Sequence, residues 1–354
     1  MSSSLIHKSQ FGEIKVGNFY RPLFCYTLDN STMTVDLLEY GATISSIKLP
    51  DPQGKKTDIV LGFGNLPSYM SDYNPYFGGI IGRVCNRISN GSFTIGKKLY
   101  TVATNNPPNT LHGGYHGLDK KIWDVEVLDD KVVFSCMSYH MEEGFPGCVE
   151  FTATYELTAG NELKLDMRAK TTHATPINLT SHSYFNLAGH ETGWQGIKDH
   201  DLRINADKYT PMDENLIPTG EVMPVKGTQF DIRNRKNLGL VISRSSMGYD
   251  CNYCINGEGM RFCARAFHKK SGRVLEVYSD QPGMQFYTGY YLNNIPGKNR
   301  AVYNRYSGFC FETQNYPNAI NTPTFPNCIL EPGEEYCHLV TYKFTFDTPK
   351  PSVA

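Results

Sequence analysis

The sequence predicts an all-β protein, one large sandwich of short antiparallel strands, and three observations carry that reading. Apolar and polar residues alternate strictly from Val149 to Leu157 and again, after a turn, from Glu162 to Lys170. No long segment shows a 3.6-residue apolar period. The 32 glycines and 20 prolines cut the remainder into short pieces, which disfavours alternating β and α units.

Taken in order, the first β-rich run is Met33 to Leu37, followed by Ser92 to Ile95 with Leu99 to Val102, and by Val132 to Met137. From Val149 to Leu157 the odd positions are Val, Phe, Ala, Tyr and Leu and the even ones Glu, Thr, Thr and Glu, so one face is wet. Ala159-Gly160-Asn161 is a turn signal. Leu163, Leu165, Met167 and Ala169 then alternate with charged residues, and the two runs form an antiparallel hairpin. Phe262 to Phe267, Val274 to Tyr278 and Leu339 to Phe346 complete the set. No repeat, low-complexity tract or composition break marks a linker. The expected layout is a flexible start at residues 1–10, a single domain over 11–346 and a flexible tail at 347–354.

With 34 basic against 35 acidic side chains in 354 residues, the chain offers no electrostatic footprint for nucleic acid or an anionic membrane. A hydrophobic content of 40% supports a sizeable core and excludes a disordered chain. The opening MSSSLIHKSQFGEIKVG lacks an apolar signal region, and no uncharged apolar run reaches the length of a membrane span; the expected location is the cytosol. Ten scattered cysteines then read as reduced thiols, and the three sequons at Asn30, Asn90 and Asn178 carry no glycan.

Several motifs drop out. Gly62-Phe-Gly-Asn-Leu-Pro67 lacks the last glycine and the βαβ setting of a dinucleotide loop, Cys251 and Cys254 form one lone pair that reads as small core residues, and no serine-hydrolase elbow occurs. Four polar clusters inside strand-like sequence are more informative. They are Asn86-Arg87 with His112; His182-Ser183-Tyr184; Asp250; and Gln285 with Glu312. Glu312 stands among Phe309, Cys310 and Phe311, so burial would raise its pKa and suit it as a general base, whereas an arginine partner such as Arg87 would lower it. Both readings stay open at this level. Two histidines, a carboxylate, an arginine, amides and tyrosines match what a sugar site needs, and a reaction requiring only proton transfer fits best, with neither metal nor cofactor.

At these positions the chain resembles the aldose 1-epimerase, or galactose mutarotase, family, and its animal type in particular. The likeness runs through Asn86-Arg-Ile-Ser-Asn-Gly-Ser-Phe, Asn109-Thr-Leu-His-Gly-Gly, Thr175-Pro-Ile-Asn-Leu-Thr-Ser-His-Ser-Tyr-Phe-Asn-Leu-Ala-Gly, Leu216-Ile-Pro-Thr-Gly-Glu, Gln281-Pro-Gly, Glu312-Thr-Gln-Asn-Tyr-Pro and Leu330-Glu-Pro-Gly-Glu-Glu-Tyr. It implies a single-domain, galactose mutarotase-like antiparallel β super-sandwich with a sugar cleft on one sheet, and interconversion of the α and β anomers of galactose and glucose. On matching positions, Glu312 is the base at the C1 hydroxyl and His182 the acid at the ring oxygen. His112 sits beside that oxygen, Asn86, Arg87, Asp250 and Gln285 hold hydroxyls, and Ser183 and Tyr184 flank the acid against the sugar.

Three positions depart from the family pattern: Cys251 where histidine is usual, Ser181 where asparagine is, and Tyr290 where a small polar residue is common. The first two are expected to loosen support of Asp250 and His182. A hexose 6-phosphate epimerase, which would need further cations in the cleft, and a non-catalytic sugar binder are the alternatives on this fold, and either a monomer or a homodimer is compatible with it.

Overall fold

In the computed structural model, which describes residues 4–51 and 53–347, three antiparallel sheets close on a shared apolar core. The largest has nine strands, in spatial order Asp124–Val127, Lys131–Ser138, Val149–Leu157, Glu162–Thr171, Tyr336–Phe346, Arg273–Ser279, Arg261–His268, His200–Ile204 and Lys236–Asn237. The alternating hairpin lies within it. Tyr155 faces Leu165 and Ala153 faces Met167, and the chain reverses through Asn161 in the left-handed region, at φ 57°. The buried members of both runs are the apolar ones, as period 2 requires.

The strand Tyr336–Phe346 inserts between Glu162–Thr171 and Arg273–Ser279, so residues far apart in sequence complete the middle of the largest sheet. Every run singled out above as β-rich overlaps a strand, with ends that coincide or differ by up to three residues.

A five-stranded meander, Leu5–Val16, Phe19–Asp29, Thr34–Leu38, Thr43–Leu49 and Thr57–Asp58, forms a second layer. It corrects the expected flexible start. From Leu5 onward the chain is a paired strand, Leu5 facing Asp29 and Val16 facing Phe19, because a twelve-residue strand with a tight Gly17 turn recruits the full length of its neighbour. Asp347, the first residue of the expected tail, is tied by its backbone N–H to the Gly272 carbonyl; residues 1–3 and 348–354 lie outside the described residues.

The third sheet positions the candidate site: Tyr184–Phe185, Phe309–Gln314, Gly283–Tyr287, Asp250–Cys254, Lys208–Tyr209 and Met223–Pro224. Phe309, Phe311, Met284, Phe286, Cys251 and Tyr253 turn one face of it into the shared core. The other face is polar yet also buried, so these strands show no dry and wet sides. Among the described residues α-helix is limited to three short segments, Leu66–Tyr69, Gly193–Ile197 and Leu238–Ser243.

The core includes histidines kept neutral. Burial pushes His200 and His338 down to about 3, the neighbouring His268 adding to the effect at His200 while nearby carbonyls oppose it. Each binds a proton in the unfolded chain near its ordinary 6.5 but only near 3 when folded, so its contribution to stability is complete above pH 6.5 and declines as pH falls toward 3. Each should cost roughly 1.4 kcal/mol per pH unit inside that window. Urea midpoints should therefore fall steadily between pH 6.5 and 4; a flat profile there would contradict the assignment.

Candidate active site

Sheet register assembles the first wall. Asn252 faces Gln285 and Gln285 faces Glu312; one step along, Asp250 faces Tyr287, Tyr287 faces Cys310 and Cys310 faces Tyr184. These rows lie on the polar face of the six-stranded sheet, and Asp250, Gln285, Tyr287, Tyr184 and Glu312 line a cavity of about 410 Å³, within the usual range for a small-molecule site.

His182 stands at the edge of that wall. Its backbone is clamped between two glycines, with the His182 N–H donating to the Gly79 carbonyl and the Gly78 N–H to the His182 carbonyl. Gly78 has φ +67°, and a Cβ there would come within 2.0 Å of the Ile44 carbonyl oxygen, so the clamp requires glycine. The imidazole is sandwiched between Tyr184 (centroids 4.9 Å apart, planes 12°) and Tyr76 (6.0 Å, 16°). Nε2 lies 3.6 Å from Glu312 Oε2, and Nδ1 lies 3.7 Å from Cys310 Sγ. Both faces and both nitrogens of the ring are thereby engaged.

The second wall comes from the short pairing of Arg87–Ile88 with Thr110–Leu111. Asn86 and His112 both adopt left-handed backbone, at φ 57° and 52°, which aims their side chains into the cavity. His112 Nδ1 accepts the Asn86 N–H at 3.2 Å, so a neutral His112 carries its proton on Nε2. Burial holds it neutral, well below the usual histidine range, helped by His182, Arg87 and Lys120. It is a fixed hydrogen-bond donor. Arg87 Nε donates to Asn106 Oδ1 at 3.2 Å, and Asn106, Glu214 and Leu216 close the remaining sides.

Burial also decides between the two readings of Glu312. Its carboxyl is pushed well above the usual carboxylate range by desolvation first and the Asp250 charge second. Arg87 makes no ion pair with it among the described residues; the guanidinium acts on Asp250 instead. Desolvation raises Asp250, and Arg87 and the Gln285 hydrogen bond (Nε2 to Oδ1, 2.6 Å) draw it back. Burial lowers His182 to about 4, its own backbone opposing. Burial of both groups therefore favours a protonated Glu312 beside a neutral His182 over the corresponding ion pair.

Eight of the nine expected site residues meet at this cavity: His182, Glu312, Asn86, Arg87, His112, Tyr184, Asp250 and Gln285. Ser183 does not. It is buried but off the cavity wall, in the link between the strands Thr180–Ser181 and Tyr184–Phe185. Tyr184 offers the cavity its ring rather than its hydroxyl, which donates to the Pro75 carbonyl at 3.1 Å.

Strand alternation corrects the expected effect of Cys251. That side chain faces the core beside Phe286, and the support of Asp250 comes from Gln285. Ser181 pairs with Ile80, and neither it nor Tyr290, which lies under the Arg305 guanidinium at 4.4 Å, lines the cavity. Sequence reasoning missed Tyr76, an isolated loop residue with no motif around it, and Tyr287 and Tyr291, which sit in or beside the Gln285 cluster without being singled out.

His182, Cys310 and Glu312 also place nitrogen, sulfur and oxygen donors within 4.8 Å of one another. The imidazole turns different nitrogens to the other two, and burial, then the charges of Glu312 and Asp250, hold the thiol protonated well above its usual range. A metal ligand set needs one nitrogen and a thiolate facing a common point; this is a hydrogen-bonding row instead.

The sequence matches the aldose 1-epimerase family over residues 25–343. It is 48% identical to human galactose mutarotase over 343 residues, covering 96% of this chain and 98% of that protein. To the aldose 1-epimerase of Escherichia coli (strain K12) it is 33% identical, over 89% of this chain and 93% of the other. The crystal structure of an aldose epimerase homologue from C. elegans superposes with a TM-score of 0.84 at 31% identity, covering 90% of this chain and 97% of that one.

The electrostatics of the cavity predict a specific titration. Carboxyl ¹³C NMR of the free protein should find Glu312 protonated well above pH 4.5, and Asp250→Asn should bring its pKa down while leaving it above the ordinary value, because burial remains when the neighbouring charge is removed. A Glu312 that ionises normally in both proteins would refute the desolvated carboxyl.

Proposed function

The chain belongs to the aldose 1-epimerase family, an isomerase that interconverts the α and β anomers of aldoses, and we propose that Glu312 and His182 carry this reaction as a pair sharing one transferable proton. The observation that carries the assignment is their 3.6 Å approach inside a desolvated cavity. The C1 hydroxyl oxygen and the ring oxygen of a pyranose are bonded to the same carbon, so two groups this close can serve both.

In the ring-opening step the Glu312 carboxylate takes the C1 hydroxyl proton, electrons form the C1 carbonyl, the bond from C1 to the ring oxygen breaks, and imidazolium His182 gives its Nε2 proton to that oxygen. This leaves a neutral carboxyl and a neutral imidazole. Rotation about the C1–C2 bond presents the other aldehyde face, and reversal of both transfers closes the opposite anomer. Burial makes the charged pair costly and the neutral pair comfortable, so the desolvated site favours ring opening. Stacking between Tyr76 and Tyr184 supplies two ring faces that partly offset the cost of the imidazolium.

His112 donates to the ring oxygen or its neighbour, and Asn86, Arg87, Asp250 and Gln285 hold the remaining hydroxyls. The substrate is a neutral aldohexose, galactose or glucose. Among the cavity-lining residues Arg87 is the one Lys or Arg, set against the carboxyls of Glu214, Asp250 and Glu312, which supports an unphosphorylated sugar over a hexose 6-phosphate. We also assign the enzyme to the cytosol: its ten cysteines are free thiols, eight of them buried, which suits a reducing compartment. No helix among the described residues is long and apolar enough to cross a membrane.

Polarimetry on freshly dissolved α-galactose tests the pair. Glu312→Gln should fold normally and slow mutarotation by about 10² to 10⁴; a rate equal to wild type removes Glu312 from the mechanism. The pH profile offers a second check. Activity needs one transferable proton on the pair, so kcat/KM should fall on the acid side near pH 4, where His182 gains a second proton, and on the alkaline side above the ordinary carboxyl range, where the pair loses its last. An acid limb near 6.5 would contradict this order.

A further inference from the structure

Cys310 is fully buried, off the cavity wall, and opposite Tyr184 in the sheet, yet its sulfur lies 3.7 Å from His182 Nδ1. Glu312, two residues further on the same strand, reaches the other nitrogen. One strand therefore supplies partners to both ends of the imidazole.

To protonate a ring oxygen and later take that proton back, the ring must exchange it at Nε2 in both directions. This requires Nδ1 to keep its hydrogen throughout. If Nδ1 were bare in the neutral state, the hydrogen would sit on Nε2 and block the return transfer. We propose that Cys310 is a positioning residue: its sulfur accepts the Nδ1–H of His182 and so fixes the tautomer that leaves Nε2 free to exchange a proton with the sugar. The inference rests on the roles given above to His182 and Glu312.

A thiol differs here from the commoner carbonyl or carboxylate partner. Such oxygens are strong acceptors that raise imidazole basicity. Sulfur is a weak acceptor, and with its proton retained it brings no charge toward Glu312 and Asp250. The imidazolium it holds stays a strong acid, which is what transfer to a weakly basic ring oxygen demands. The groups facing His182 from the surrounding elements are Glu312 and Cys310 on their strand, Tyr184, Tyr76 and His112, with Asp250 and Arg87 on the further walls.

Histidine-selective ¹⁵N NMR combined with kinetics tests this. In the free wild-type enzyme neutral His182 should be the Nδ1–H tautomer. Cys310→Ala should raise the Nε2–H fraction, which the Glu312 carboxyl proton at Nε2 then opposes alone, lower kcat by about 10-fold to 100-fold with KM little changed, and move the acid limb of kcat/KM to lower pH. Cys310→Ser, whose hydroxyl is a stronger acceptor, should recover most of kcat and move the limb above wild type. An Nε2–H tautomer in the wild type overturns the inference, as does a Cys310→Ala enzyme with unchanged kcat and pH profile. Should Cys310→Ala not fold, the wild-type tautomer and the direction of the serine variant's limb decide the matter. The tautomer readout is independent of turnover, so an active Glu312→Gln enzyme would bring down the catalytic roles while leaving the sulfur contact to be judged by NMR.

Discussion

The contact between Glu312 and His182 is the interaction on which the rest depends, and its character comes from what surrounds it. In water a carboxylate and an imidazole 3.6 Å apart would share little; with both nearly inaccessible to solvent, charge on either becomes costly and the transferable proton rests on the carboxyl, beside a neutral imidazole. Desolvation moves the carboxyl up and the imidazole down, toward each other and past their ordinary order. Two side chains of unremarkable type thus acquire the proton affinities that the proposed acid and base pair requires.

The fold creates that environment through sheet parity. The strands Phe309–Gln314, Gly283–Tyr287 and Asp250–Cys254 send one set of side chains into the shared core and the other to the polar face that carries the cavity, so Phe309 and Phe311 anchor the strand that presents Glu312. Movement of Glu312 toward or away from His182 would drag two phenylalanines through a close-packed interior. The imidazole is held as firmly, by glycine-backed backbone bonds and by two tyrosine faces. Glu312 on a central strand and His182 in a clamped two-residue link between the strands Thr180–Ser181 and Tyr184–Phe185 give the rigid placement that the proposed pair of proton transfers needs.

Much of this was legible in the sequence, for identifiable reasons. Period-2 alternation exposed the hairpin at residues 149–170 because one of its faces meets water, and the same rule fails for Asp250–Cys254, Gly283–Tyr287 and Phe309–Gln314, where both faces are buried. Polar residues embedded in such runs were the visible trace of a cavity. The raised state of Glu312 was one of two open readings, since nothing in the chain states whether Arg87 reaches Glu312 or Asp250. Ser183 was misplaced by adjacency in sequence, and Cys251 by its adjacency to Asp250, where alternation sends neighbours to opposite sides. Tyr76 gave no signal at all: it belongs to the site through a left-handed loop that only the three-dimensional path reveals.

Neutron diffraction from deuterium-exchanged crystals of the sugar-free protein near pH 7 would address the shared proton directly. The account predicts nuclear density for a deuterium on the Glu312 carboxyl directed toward a bare His182 Nε2, so that the pair holds one transferable proton in its resting state. A deuterium-free carboxylate beside a neutral imidazole would contradict it, because such a pair has no acid with which to open the ring.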